Sequence, residues 1–200
     1  MKPILLQMQA FGPFAGKETI SFADLGASPL FLINGPTGAG KTTILDAISY
    51  ALYGSTTGNE RDARDMRCQQ SDPGLQTEVI LEFSLGGASY RISRSPDQLR
   101  PKKRGEGFTL LKSCASLYKL GADGSSENGD LLVEQKISDA TDHIRSITGL
   151  NAEQFRQVMV LPQGQFRKLL MADSKGKQDI FESLFQTSIY SKIEERLKED

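Results

Sequence analysis

The spacing of hydrophobic positions changes several times along these 200 residues, and each change marks an expected element. Residues 3–10 and 18–22 read as short strands around the turn Phe11-Gly12-Pro13-Phe14-Ala15-Gly16. Leu30 to Ile33 is an unbroken apolar run before a glycine-rich turn, which predicts a strand buried on both faces. From Lys41 onward apolar residues recur at Ile44, Leu45, Ile48, Ala51 and Leu52, a helical spacing that Gly54 should end. Residues 55–76 are polar without a clear period and read as loop with one short helix. Val79, Leu81 and Phe83 alternate in a strand over 77–85, a second strand covers 89–94, and Gly86-Gly87 between them signals a hairpin.

Two more strands are expected over 107–111 and 115–120, followed by a loop from Gly121 to Asp130. Ile137, Ile144 and Ile147 fit a helix ending at Gly149, and Gln157 to Leu161 reads as a further buried strand stopped by Pro162. Ile180, Phe181, Leu184, Phe185, Ile189, Ile193 and Leu197 then recur every three to four residues, with neither glycine nor proline to end the helix. Such an ending is expected of a piece of a longer chain at the start of a coiled coil. No internal repeat is found.

Composition narrows the function classes. Lys and Arg total 24 against 25 Asp and Glu, so the net charge of −1 marks neither a nucleic-acid coat nor a membrane-surface binder. No apolar stretch approaches the roughly 20 residues of a spanning helix, and the start is too short for a signal-peptide core, so no membrane association and a cytoplasmic location are expected. Cys68 and Cys114 have no CxxC spacing, and His143 is the sole histidine, in a stretch that reads as polar helix surface. A zinc ribbon, a disulfide framework and a histidine-rich metal site are thereby excluded.

The sharpest motif is Gly35-Pro36-Thr37-Gly38-Ala39-Gly40-Lys41-Thr42, which matches G-x-x-x-x-G-K-[ST]. Its glycines let the backbone curl so that successive N–H groups face phosphate oxygens at a helix N-terminus. Lys41 would place a point charge on the β- and γ-phosphates of a bound nucleotide, and the Thr42 hydroxyl would ligate Mg²⁺. With Thr43, residues 35–43 form the candidate cradle, lying between a strand signal and an amphipathic helix as the motif requires. A complete P-loop enzyme also needs an acidic residue at the end of a second buried strand. No run of four apolar residues ends in Asp-Asp or Asp-Glu, and the nearest candidates, Glu82 and Glu134, read as outward positions of ordinary strands.

Four stretches then carry a resemblance: Phe11 to Phe14, Leu30 to Gly54, Tyr90 to Gly107, and Phe155 to Leu170, which contains Leu161-Pro162-Gln163-Gly164-Gln165-Phe166. Together with the tail from Ile180 to Thr187 they make the chain resemble the SbcC family, bacterial SMC-like ATPases of DNA double-strand-break processing. The resemblance implies an α/β P-loop fold: the N-terminal lobe of an ABC-type ATPase head over 1–175, with an antiparallel strand layer, and the start of a coiled-coil helix over 176–200. It implies that a C-terminal half of the same ATPase supplies the signature motif and acidic strand, that two heads close over two nucleotides, each MgATP, and that an SbcD-type nuclease subunit is the partner. It makes Gln163 the Q-loop glutamine, near Mg²⁺ and the attacking water, a role a neutral amide can fill. One departure stands out: other branches carry a basic, nucleotide-holding residue near the first turn, where this chain has Gly12. Segment 66–72 falls where the family has further nucleotide contacts, in a register the sequence leaves open.

Across 91–104, Arg91, Arg94, Arg100, Lys102, Lys103 and Arg104 oppose only Asp97. The residues alone fit a solvated hairpin tip; the resemblance adds double-stranded DNA as a partner, with Arg100, Lys102, Lys103 and Arg104 as contacts. Three rival readings stay open. A small P-loop kinase could use Arg61, Arg64 and Arg67 as a lid, a nucleotide-dependent interaction module would hold ATP without turnover, and a related recombination ATPase would share most motifs.

Overall fold

The computed structural model describes residues 1–26, 31–57, 63–102, 105–121, 124, 129–159 and 196. The chain forms two compact units, Met1–Gly149 and Leu150–Asp200.

The first unit is built on a six-stranded antiparallel sheet. Its strands are β1 (Lys2–Phe11), β2 (Phe14–Ser21), β3 (Glu78–Leu85), β4 (Ala88–Ser95), β7 (Cys114–Lys119) and β8 (Asp130–Val133), in the order β2-β1-β3-β4-β7-β8. Strands β5 (Gln98–Pro101) and β6 (Phe108–Leu111) pair separately as a hairpin. Two helices, α1 (Lys41–Tyr53) and α2 (Ile137–Thr148), complete the unit, with α1 against β1, β3 and β4, and α2 against β7 and α1.

Period-two alternation explains the sheet's buried face. Leu6 and Met8 of β1, Leu81 and Phe83 of β3, Ile92 of β4 and Leu117 of β7 are fully buried. Register places Leu6 opposite Leu81, Leu81 opposite Ile92, and Ile92 opposite Leu117, so one apolar row crosses four strands. Ala47, Tyr50, Ala51 and Leu52 of α1 and Ala140 and Ile144 of α2 complete the core. The helix spacing, the Gly86-Gly87 hairpin and the stops at Gly54 and Gly149 are as expected; each stop donates its N–H to the carbonyl four residues back, Tyr50 or Arg145.

Two expectations are corrected. Phe31 to Ile33 form no strand, and Phe31 and Leu32 are 52% and 87% exposed. A strand buried on both faces needs a ladder partner, and among the described residues no strand pairs with them; the Phe31 ring meets that of Phe22 at 5.8 Å between centroids. Leu30 lies outside the described residues. In the second unit, Gln157 to Met159 end a helix, α3 (Ala152–Met159), rather than open a strand. A reciprocal cap decides this: Gln154 N–H donates to Asn151 Oδ1 at 2.8 Å, and Asn151 N–H to Gln154 Oε1 at 2.9 Å. Val160, Leu161 and Pro162 lie outside the described residues, as does all of 176–200 except Arg196. Strands β5 and β8 were not expected, because arginine and proline mask the first and a polar loop runs into the second.

No described helix is long and apolar enough to cross a membrane.

Candidate nucleotide site

Residues 35–43 lie together as one exposed loop running into the first turn of α1. Gly40 is the helix N-cap, at φ +85°, and no acidic side chain occupies the first turn. The N-terminal N–H groups of α1 are thus left for an anion, where the helix dipole favours it. Gly40 is also where the β1–β2 turn closes on the loop. A Cβ there would sit 2.7 Å from Phe14 Cζ and 2.9 Å from Pro13 Cγ, so only glycine fits.

Lys41 lies across the loop's mouth, its ammonium donating to the Gly35 carbonyl at 2.8 Å and the Pro36 carbonyl at 2.7 Å. Both acceptors are carbonyls of its own loop, so the charge is held at the cradle, and no carboxylate among the described residues pairs with it. The Gly35 N–H donates to Asn34 Oδ1 at 2.9 Å, and the Ala39 N–H to the Pro36 carbonyl at 3.3 Å. Thr42 is exposed at the helix start, open to a metal ion, whereas Thr43 is buried. The curled loop, uncapped helix start, lysine and free hydroxyl fit a magnesium-bound nucleoside triphosphate.

Gly12 explains the missing basic residue of the first turn. It sits at φ +58°, and a Cβ on it would lie 2.5 Å from Thr43 Cγ2, so the turn itself presses on α1. Its N–H donates to the Met66 carbonyl at 2.7 Å, which ties segment 66–72 to the same place.

Two side chains outside the motif act as braces: Asp46, which sequence reasoning missed, and Arg67, which it read only as a lid candidate. Asp46, buried on α1, accepts from the Thr57 N–H at 2.9 Å and from the Thr57 hydroxyl, pinning the chain beyond the helix. Arg67 donates to the carbonyls of Leu75 and Asp72, the Thr77 hydroxyl and Gln98 Oε1, at 2.8 to 3.2 Å. Those bonds make Arg67 an internal brace, which removes it from any kinase lid. Neither residue carried a periodic or motif signal.

The basic cluster is also corrected. Arg94 is 2% exposed; its guanidinium donates to the Ala51 carbonyl at 3.1 Å and to the Leu52 carbonyl and Thr141 hydroxyl at 3.2 Å. It therefore caps the C-terminus of α1, and burial lowers its pKa to about 10. Arg91 faces Glu82 at 3.8 Å, so that carboxylate is the outward strand position expected of it. Glu134 is exposed just past β8, and His143 lies on α2. Arg100 and Lys102 remain on the β5–β6 hairpin, while Lys103, Arg104 and Gln163 lie outside the described residues.

The sequence model of the AAA domain family matches residues 5–200. The chain belongs to that family. As an AAA domain it is a P-loop nucleotide-binding α/β protein. It is similar to proteins named as the SbcC component of the nuclease SbcCD: the one from Vibrio cholerae is 55% identical over 199 residues, covering 100% of this chain and 19% of the relative. The Lactococcus lactis relative is 41% identical over 198 residues, 99% of this chain and 18% of that protein. The Staphylococcus aureus relative is 36% identical over 200 residues, 100% of this chain and 19% of that protein. The chain thus spans about a fifth of the length of the curated relatives it matches. These matches bear out the resemblance to the SbcC family across the whole sequence.

Proposed function

We propose that this AAA domain is the ATP-binding half of an SbcC-like DNA-repair ATPase, which uses ATP binding and hydrolysis to regulate a partner nuclease on DNA ends or hairpins. The observation that carries this reading is the phosphate loop itself, with Lys41 at its mouth and the α1 N-terminus uncapped by any acidic side chain. In this reading the N–H groups of residues 35–43 bind the phosphates, Lys41 offsets the charge that develops on the γ-phosphate, and Thr42 holds Mg²⁺. Bound Mg²⁺ would neutralise phosphate charge. Gln163 would orient the attacking water and help hold the metal.

The lobe over 1–175 would pair with the C-terminal half of the same ATPase, which brings the hydrolytic carboxylate. The helix of 176–200 would begin the coiled coil between the two halves. Engagement of Glu82 by Arg91 supports a carboxylate supplied from elsewhere. Two such heads would close as a homodimer over two nucleotides, each completing the other's site, with an SbcD-type nuclease subunit attached. Double-stranded DNA would meet Arg100, Lys102, Lys103 and Arg104 in the cytoplasm. The differential ligand is the γ-phosphate, since only the closed pair touches it from both sides.

The test is nucleotide binding and ATP hydrolysis by these 200 residues with Mg²⁺, beside a Lys41→Ala control. Binding that the substitution abolishes, with no turnover above the control, is the expected outcome. Robust Lys41-dependent turnover would overturn the half-site reading.

A further inference from the structure

The β5–β6 hairpin holds an arrangement that phosphate contacts alone do not use. Its register pairs Leu99 with Leu110 and Pro101 with Phe108, so these four side chains share one face. Gln98, on the other face, is buried, with its amide bonded to the Thr77 backbone at 2.6 and 3.0 Å. The apolar face therefore points away from the body: Leu99, Phe108 and Leu110 are 58%, 59% and 57% exposed. A two-stranded hairpin has little stability to spare, and here it leaves its largest apolar side chains in water. Charge on the same hairpin is one-sided. Exposed Lys102 follows β5 and exposed Lys112 follows β6, Arg100 lies half-buried on the face of Gln98, and Glu106 is the sole acid between Gln98 and Lys112.

An aromatic ring set among aliphatic side chains and flanked by lysines matches the chemistry of an unpaired nucleic-acid strand. Bases stack on such a ring irrespective of sequence, while the cations hold the flanking phosphates. Uninterrupted duplex hides its bases and gives the apolar face nothing to cover. We propose that this hairpin is a platform for unpaired DNA bases, with Phe108 as the stacking residue and Lys102 and Lys112 as phosphate contacts. The proposal deepens the DNA contact suggested above and rests on it.

The experiment uses the full-length ATPase and measures affinity for a blunt duplex and for the same duplex carrying an oligo-dT tail. Phe108→Ala is expected to weaken tailed DNA by at least about fivefold, the lower end for one stacked base, and to leave blunt duplex unchanged. Phe108→Trp should restore tailed binding, and 5-iodouracil placed in the tail should photocrosslink to position 108. Lys102→Glu should weaken both DNAs. If Phe108→Ala changes neither while Lys102→Glu weakens both, the platform is refuted and the DNA contact stands. If neither substitution matters, the DNA contact itself fails. Loss of nuclease-partner binding by Phe108→Ala, with tailed DNA still bound normally, would assign the face to a protein partner and overturn the proposal.

Discussion

Replacing Arg94 with methionine tests whether this buried arginine is a helix cap or a surplus charge. Methionine keeps most of the apolar volume but removes the donors that hold the Ala51 and Leu52 carbonyls and the Thr141 hydroxyl. Each orphaned buried acceptor costs about 1–3 kcal/mol, and the two carbonyls therefore lose about 2–6 kcal/mol. Relief of a desolvated guanidinium, which no carboxylate pairs among the described residues, offsets part of that. The opposing contributions leave a net destabilisation of about 2–4 kcal/mol. For a domain of this size that lowers Tm by about 4–16 °C. Thermal unfolding followed by far-ultraviolet circular dichroism reads the shift. A variant within 0.5 °C of the parent, or more stable than it, would refute the cap and return Arg94 to the class of buried charges better replaced by a hydrophobe. Low-salt DNA affinity should not respond to this substitution beyond its effect on folding, because the guanidinium faces the core.

Gly40→Ala drives a Cβ into Phe14 and Pro13 at a positive φ, and should lower nucleotide affinity at least about tenfold in a titration with a fluorescent ATP analogue. Burial raises the pKa of Tyr50, and to a lesser degree Arg94 opposes the shift; Tyr53 is raised by burial as well. Both rings are held neutral, so the native state keeps protons that the unfolded chain loses near pH 10, and stability should fall as pH rises above that value. Tyr50→Phe should flatten this alkaline decline in urea melts taken from pH 8 to 11; an unchanged slope would remove Tyr50 from the account. In the complete ATPase, Lys102→Glu with Lys103→Glu should weaken duplex binding and lower the salt slope of log K by about 2, with nucleotide affinity unaltered. Equal DNA affinity at low salt would count against the hairpin as a contact.

Local patterns made most of the sheet legible. Val79, Leu81 and Phe83 alternate because one face of β3 meets the core, and Gly86-Gly87 can only turn. The phosphate loop was legible for a different reason, since its chemistry fixes residue types at fixed spacing. What stayed hidden depends on partners distant in sequence. Arg94 read as surface charge because nothing near it shows that the α1 C-terminus needs a donor there. Asp46 and Arg67 are braces whose acceptors and donors lie elsewhere in the chain. Phe31 and Leu32 misled in the opposite sense: an apolar run has strand propensity, but pairing needs a neighbour. Gln157 to Met159 were decided by the Asn151–Gln154 cap, upstream of the apolar residues that invited a strand.

The antiparallel pairing of β1 with β3 has a consequence for how the nucleotide site comes into being. Met8 faces Val79 across that pair, so the intervening segment, which contains the whole phosphate loop and α1, is a closed circuit of chain. Closing it costs about 4 kcal/mol of chain entropy beyond a constant, whereas the β3–β4 hairpin closes almost for free. The cradle is fixed in place only when that circuit shuts, because α1, which the loop opens, packs on β3 and β4 as well as β1. Competence to hold a triphosphate is then expected late in folding. A nucleotide present during synthesis would act on this domain as a ratchet, trapping the closed circuit each time it forms.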